Sequence, residues 1–131
     1  MAAVFEKYIE VADRIDPIKC VGRIIKIQGV LIESHGPSAI VGEMCRIYAP
    51  KGRGVIQAEV VGLRDEIVQL MAFEEIEGLE IGARVVASGT RLEVPVSKKL
   101  LGRVLDALGN PIDDKGEIES AVLYPAVASP P

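Results

Sequence analysis

Six short runs rich in valine and isoleucine, at residues 20–27, 29–33, 43–49, 54–62, 66–71 and 83–87, alternate with glycine, proline and charged turns. Branched side chains lose freedom in a helix but pack well on a pleated sheet. Strands this short, at this spacing, indicate a closed barrel or a small sandwich. Closure is the better solution, because it removes the unpaired strand edges that invite association with other chains. With two Phe, three Tyr and no Trp, the core must rest on Val, Ile and Leu. Hydrophobic residues make up 49% of the 131, and a chain of this length buries roughly two-thirds of its unfolded surface. That suits one compact domain with short appendages.

The alternation within the runs assigns faces. Ile56, Ala58 and Val60 share one face while Gln57 and Glu59 point away, and Cys45 and Ile47 oppose Arg46 and Tyr48. Ile24 and Ile25 fall on opposite faces, so one of them needs cover from outside the barrel. Gly29 interrupts what would be one long strand and marks a bulge or sharp bend. His35-Gly36-Pro37-Ser38 reads as a loop tip, Lys51-Gly52-Arg53-Gly54 as a turn, and Arg64-Asp65 as a link between two strands.

The flanks change period. In residues 1–16, Phe5, Tyr8, Ile9, Ala12 and Ile15 recur at helical spacing, ended by Asp16-Pro17. After Val94-Pro95-Val96, the stripe Leu100, Leu101, Val104, Leu105 and Leu108 predicts a second helix over 98–108, capped by Ser97 and stopped by Gly109-Asn110-Pro111. Residues 117–131 show no periodicity, so this tail, with Val122, Leu123 and Val127, is expected to be loosely held. The expected architecture is mainly β: an N-terminal amphipathic helix in 1–18, a six-stranded closed barrel in 19–93, and a linker with a C-terminal helix in 94–131.

Several function classes fit poorly. The formal charge of −4 argues against a nucleic-acid-binding barrel, which needs a basic groove with stacking aromatics, and Tyr48 is the only aromatic in the predicted barrel strands. Cys20 and Cys45 have no metal-ligand spacing and read as two buried thiols of a cytosolic protein. The acidic start, with Glu6, Glu10 and Asp13, does not resemble a signal peptide, and no apolar run approaches the ~20 residues of a membrane-spanning helix. No G-x-x-x-x-G-K-[ST] loop occurs. Gly52-Arg53-Gly54 precedes a strand rather than a helix and makes no phosphate cradle. His35 lacks a nucleophile or companion ligands nearby, and Glu74, Glu75, Glu77 and Glu80 alternate with Ile76, Leu79 and Ile81 as a connecting turn does. No catalytic, cofactor-binding or metal-binding residue is assigned.

The residues nevertheless carry a resemblance. Gly22-Arg23 before an apolar strand, Ala58-Glu59-Val60-Val61-Gly62-Leu63-Arg64, Leu70-Met71 and Gly82-Ala83-Arg84-Val85 form one series. Val94-Pro95-Val96, then Leu100-Leu101-Gly102-Arg103-Val104-Leu105-Asp106-Ala107-Leu108-Gly109 and Pro111-Ile112-Asp113, complete it. Together they resemble the N-terminal portion of the flagellar and type III secretion export ATPases, themselves similar to the main subunits of rotary ATPases. The resemblance covers residues 19–131. Ser97 stands where the family usually has Gly, and Ala72 where it often has Pro.

The resemblance implies a six-stranded barrel, then in residues 94–131 a linker and the truncated start of a nucleotide-binding domain, whose ATP- and Mg-binding motifs in the parent protein would lie beyond Pro131. It implies a homohexameric ring whose neighbouring subunits meet, with no nucleic acid involved. It also implies that the N-terminal segment contacts a stator-type regulator and export-gate proteins, in the cytoplasm and peripherally at the inner face of the membrane. Phe5, Tyr8, Ile9 and Ala12 are the candidate partner-binding residues; the same stripe would alternatively cover the outward isoleucine of the barrel. A rotary ATP synthase subunit is the alternative that keeps the fold.

Overall fold

In a computed structural model, which describes residues 2–14, 20–49, 51, 54–119 and 122–130, six strands close on themselves. They are β1 (Val21–Gln28), β2 (Leu31–His35), β3 (Glu43–Ala49), β4 (Gly54–Arg64), β5 (Ile67–Ala72) and β6 (Arg84–Arg91). The order around the barrel is β1-β2-β5-β4-β3-β6, and every neighbouring pair is antiparallel. Each strand overlaps its predicted run, and β4 and β6 extend further. Gly29, at φ +60, opens the turn between β1 and β2, the sharp bend its position required. The register shifts of the barrel lie elsewhere, between Ile24 and Lys26, Glu43 and Cys45, and Val60 and Gly62. At Asp65, φ +54, the chain turns from β4 into β5.

The inward residues are those the alternation selects. Ile56, Ala58 and Val60 are fully buried beside Ile24, Ile32, Cys45, Ile47, Leu70 and Val85. Ile25 faces outward and is exposed. The loop after β5 lays Ile76 and Leu79 against the core, so the acidic segment 74–80 is a plug with a solvated edge. The carboxylate of Glu43, buried, accepts the backbone N–H groups of Ile40 at 3.0 Å and Gly89 at 2.9 Å, tying the β2–β3 connection to β6. Burial, and then the charge of Glu43, push the Cys45 thiol up to about 11, which keeps it protonated and inert; Cys20, expected to be buried as well, is exposed just before β1.

The second expected helix is not there. Only Lys98–Leu100 form a single 3₁₀ turn, with Ser97 Oγ accepting from the Lys99 N–H at 3.2 Å. Gly102 sits at φ +74, a left-handed conformation that ends the turn at once. Beyond it the chain doubles back: Leu105 bridges Pro111, and the Ile112 N–H donates to the Val104 carbonyl at 2.9 Å. The leucine spacing suggested a helix, but glycine conformation and a hairpin-like return took precedence. The tail also differs from expectation. Val122–Pro125 form a strand, β8, antiparallel to β7 (Glu93–Val96). Pro95 is tolerated because a two-stranded ribbon is all edge.

Gly22 on β1 is pressed against the loop after β2. A Cβ there would lie 2.1 Å from the Gly36 carbonyl oxygen and 2.5 Å from the Pro37 nitrogen, both backbone atoms. Gly22→Ala must therefore displace the loop or the strand and should lower unfolding stability by about 1–3 kcal/mol, measured by urea denaturation. An unchanged midpoint would mean that this approach is looser than described.

Candidate partner-binding surface

Helix α1 (Ala2–Arg14) gathers Phe5, Tyr8, Ile9 and Ala12 on one side, as their spacing requires. Glu6, Lys7, Glu10 and Asp13 occupy the other. Val4 and Val11, spaced by two helical turns in the sequence, widen the apolar side beyond the four candidate residues. Ile15 and the Asp16-Pro17 stop lie outside the described residues. Phe5, Tyr8 and Ile9 are 64%, 68% and 59% exposed, so the stripe is not spent covering the barrel. A 13-residue helix gains little stability by itself.

Other candidate groups do not assemble into a chemical site. His35 Nε2 lies 2.8 Å from Glu66 Oε2, and both side chains are exposed, an arrangement that contributes little. Among the described residues, no three His, Cys, Asp or Glu side chains converge on a metal position. Gly52 and Arg53 lie outside the described residues, and Gly54 opens β4. No described helix is long and apolar enough to cross a membrane.

Residues 24–89, from the first inward isoleucine of β1 into β6, match the model of the ATP synthase alpha/beta family, β-barrel domain. The chain belongs to that family. It is 50% identical to the flagellum-specific ATP synthase of Treponema pallidum (strain Nichols) over 103 residues, 79% of this chain and 23% of that protein. It is 44% identical to the flagellum-specific ATP synthase of Borreliella burgdorferi over 116 residues, 88% of this chain and 26% of that protein. Against the type 3 secretion system ATPase of Sinorhizobium fredii the identity is 39% over 114 residues, 87% of this chain and 25% of that protein. The chain thus spans about a quarter of the length of the curated relatives it matches. These similarities assign it to the N-terminal domain of the flagellar and type III secretion branch of the ATP synthase alpha/beta family.

Past the matched barrel, the chain carries a stapled loop where the leucine spacing predicts a helix. Arg103 donates through Nε to Asp113 Oδ2 at 2.6 Å, through Nη2 to Oδ1 at 2.9 Å, and to the Gly116 carbonyl. The same carboxylate accepts the N–H groups of Val104 at 3.1 Å and Lys115 at 3.2 Å. The two side chains are 13% and 7% exposed. Gly109, at φ +85, lies against Pro95 of β7, which seats the loop on the ribbon. Leu101, Val104 and Ile112 are left exposed on this loop, as are Val122, Leu123 and Tyr124 on β8.

The side-chain hydrogen bond from Arg103 holds the Asp113 carboxyl well below the usual carboxylate range. A lowered folded-state pKa means that the staple is fully present above the ordinary aspartate pKa of about 3.9 and weakens only as pH falls below it. Asp113→Asn should remove the ion pair at every pH, speeding amide exchange of Val104 and Lys115 while leaving β4 unchanged. Unaltered exchange at both positions would show that the loop does not depend on the staple.

Proposed function

We propose that this chain is the N-terminal assembly and partner-binding barrel of an ATPase that powers flagellar or type III protein export, and that α1 carries the partner contact. The observation that supports this most is the exposed apolar stripe of Phe5, Tyr8 and Ile9 on a helix whose other side is charged. An amphipathic helix presenting i, i+3, i+4 anchors is a common way to enter a groove on another protein. The partner fitting the branch is a stator-type regulator, with export-gate proteins as a second contact, at the cytoplasmic face of the membrane. In this reading the barrel orders neighbouring subunits in a homohexameric ring. The chain itself performs no catalysis: it has no phosphate loop, and ATP and Mg are bound by the rest of the parent protein.

Calorimetric titration of the 131-residue chain with the stator-type regulator of the same organism tests this. Phe5→Ala and Ile9→Ala should each weaken binding about tenfold or more, as anchor truncations do, without moving the melting temperature of the barrel. Wild-type affinity in both variants would remove α1 from the contact.

A further inference from the structure

We propose that the cleft beside the β1–β6 seam is a carboxylate-binding site that takes an acidic side chain of a partner protein. One cross-strand row creates it. Arg23 on β1 stands directly opposite Arg84 on β6, and Arg84 directly opposite Tyr48 on β3. Like charges facing each other across antiparallel strands destabilise the pairing, and here they face each other where the barrel closes. Among the described residues neither arginine meets a carboxylate. Each guanidinium is instead held by a contact that leaves donors free. Arg84 lies 4.3 Å from the centroid of the Tyr48 ring, a cation–π contact. Arg23 donates through Nη1 to the Gly82 carbonyl at 3.1 Å. A guanidinium has five N–H donors in a rigid fork, so one tether fixes its position and leaves most of the fork unused.

The cleft encloses about 520 Å³ and is lined by Arg23, Tyr48, Glu80, Ile81, Gly82 and Arg84 among others. Among the described residues Glu80 supplies its one carboxylate, and Glu80 Oε1 lies 2.8 Å from Lys51 Nζ, which neutralises it. Two uncompensated positive charges therefore share one concavity on a chain whose formal charge is −4. An anion seated between them converts repulsion within the seam into two charge-assisted attractions. Ile81, 69% exposed in the same wall, offers an apolar contact for the methylenes of a glutamate or its neighbours. A lipid surface fits less well, because a net-negative chain is repelled by anionic headgroups. A peptide carboxylate satisfies both the charge and the apolar wall.

The full 131-residue chain, labelled with ¹⁵N, is titrated with a blocked tetra-glutamate peptide, with inorganic phosphate, and with phosphatidylcholine vesicles containing phosphatidylglycerol. The peptide should shift the Gly82, Ala83 and Arg84 amides and the Nε–H signals of Arg23 and Arg84, and the shifts should weaken with added salt. Arg23→Gln should weaken the peptide about tenfold while leaving the melting temperature unchanged or higher, since a like charge has gone; Arg84→Gln should weaken it similarly. No shifts at these groups, or shifts that persist in the double variant, would overturn the site. Phosphate binding as tightly as the peptide, or arginine-dependent vesicle binding in its place, would overturn the peptide carboxylate as its ligand.

Discussion

Closure of the sheet between β1 and β6 is the contact on which the rest of the molecule depends. It consists of three facing pairs, Val21 with Val86, Gly22 with Val85 and Arg23 with Arg84, extended by hydrogen bonds from Ile24 N–H to Ala83 O and from Gly82 N–H to Ile24 O. This seam is short beside the pairing of β4 with β5. Without it β1 and β6 become open edges, and buried Ile24 and Val85 lose the strand beside them. Gly22 makes the seam compatible with the loop after β2, because any side chain there would enter the Gly36 backbone. A strand chosen for close approach on one side and a charged row on the other is a narrow compromise.

A closed barrel spends its inner face on stability and leaves function to what hangs on its outside. Three such features surround it: the amphipathic face of α1, the exposed leucine and valine side chains of the stapled loop and ribbon, and the arginine cleft. Among the described residues, none contains a cluster of side chains that could hold a metal. The exposed apolar stripe of α1 is why assembly and partner binding are the proposed role. The Arg103–Asp113 staple belongs to the same logic, since a loop that must meet another surface benefits from being ordered beforehand.

The barrel was legible because its signal is local and redundant. Period-two burial in Ile56, Ala58 and Val60, glycine at the turns, and an aliphatic composition all lead to the same sheet. The α1 stripe was legible for the same reason, although Val4 and Val11 were overlooked in it. The segment 98–116 was not, since Leu101, Val104, Leu105 and Leu108 mimic a helical stripe while Gly102 and Gly109 take left-handed conformations that periodicity does not register. Pairing of β8 with β7 was equally hidden, because the partners are separated by a long loop and the side chains of β8 remain exposed. The arginine row emerges only from register: Arg23 and Arg84 are far apart in the chain and become neighbours only when the barrel closes.

Native-state amide hydrogen exchange on the whole chain tests the central claim, a closed barrel bearing a separate helix, most directly. The amides of Val85 and Val86 at the seam should exchange in the same cooperative step as Val60 and Leu70, β8 should be less protected, and residues 4–12 should exchange fastest. Seam amides that open well before β4 and β5 would mean an open sheet rather than a barrel. Residues 4–12 exchanging as slowly as the strands would mean that α1 is part of the folded body rather than free for a partner.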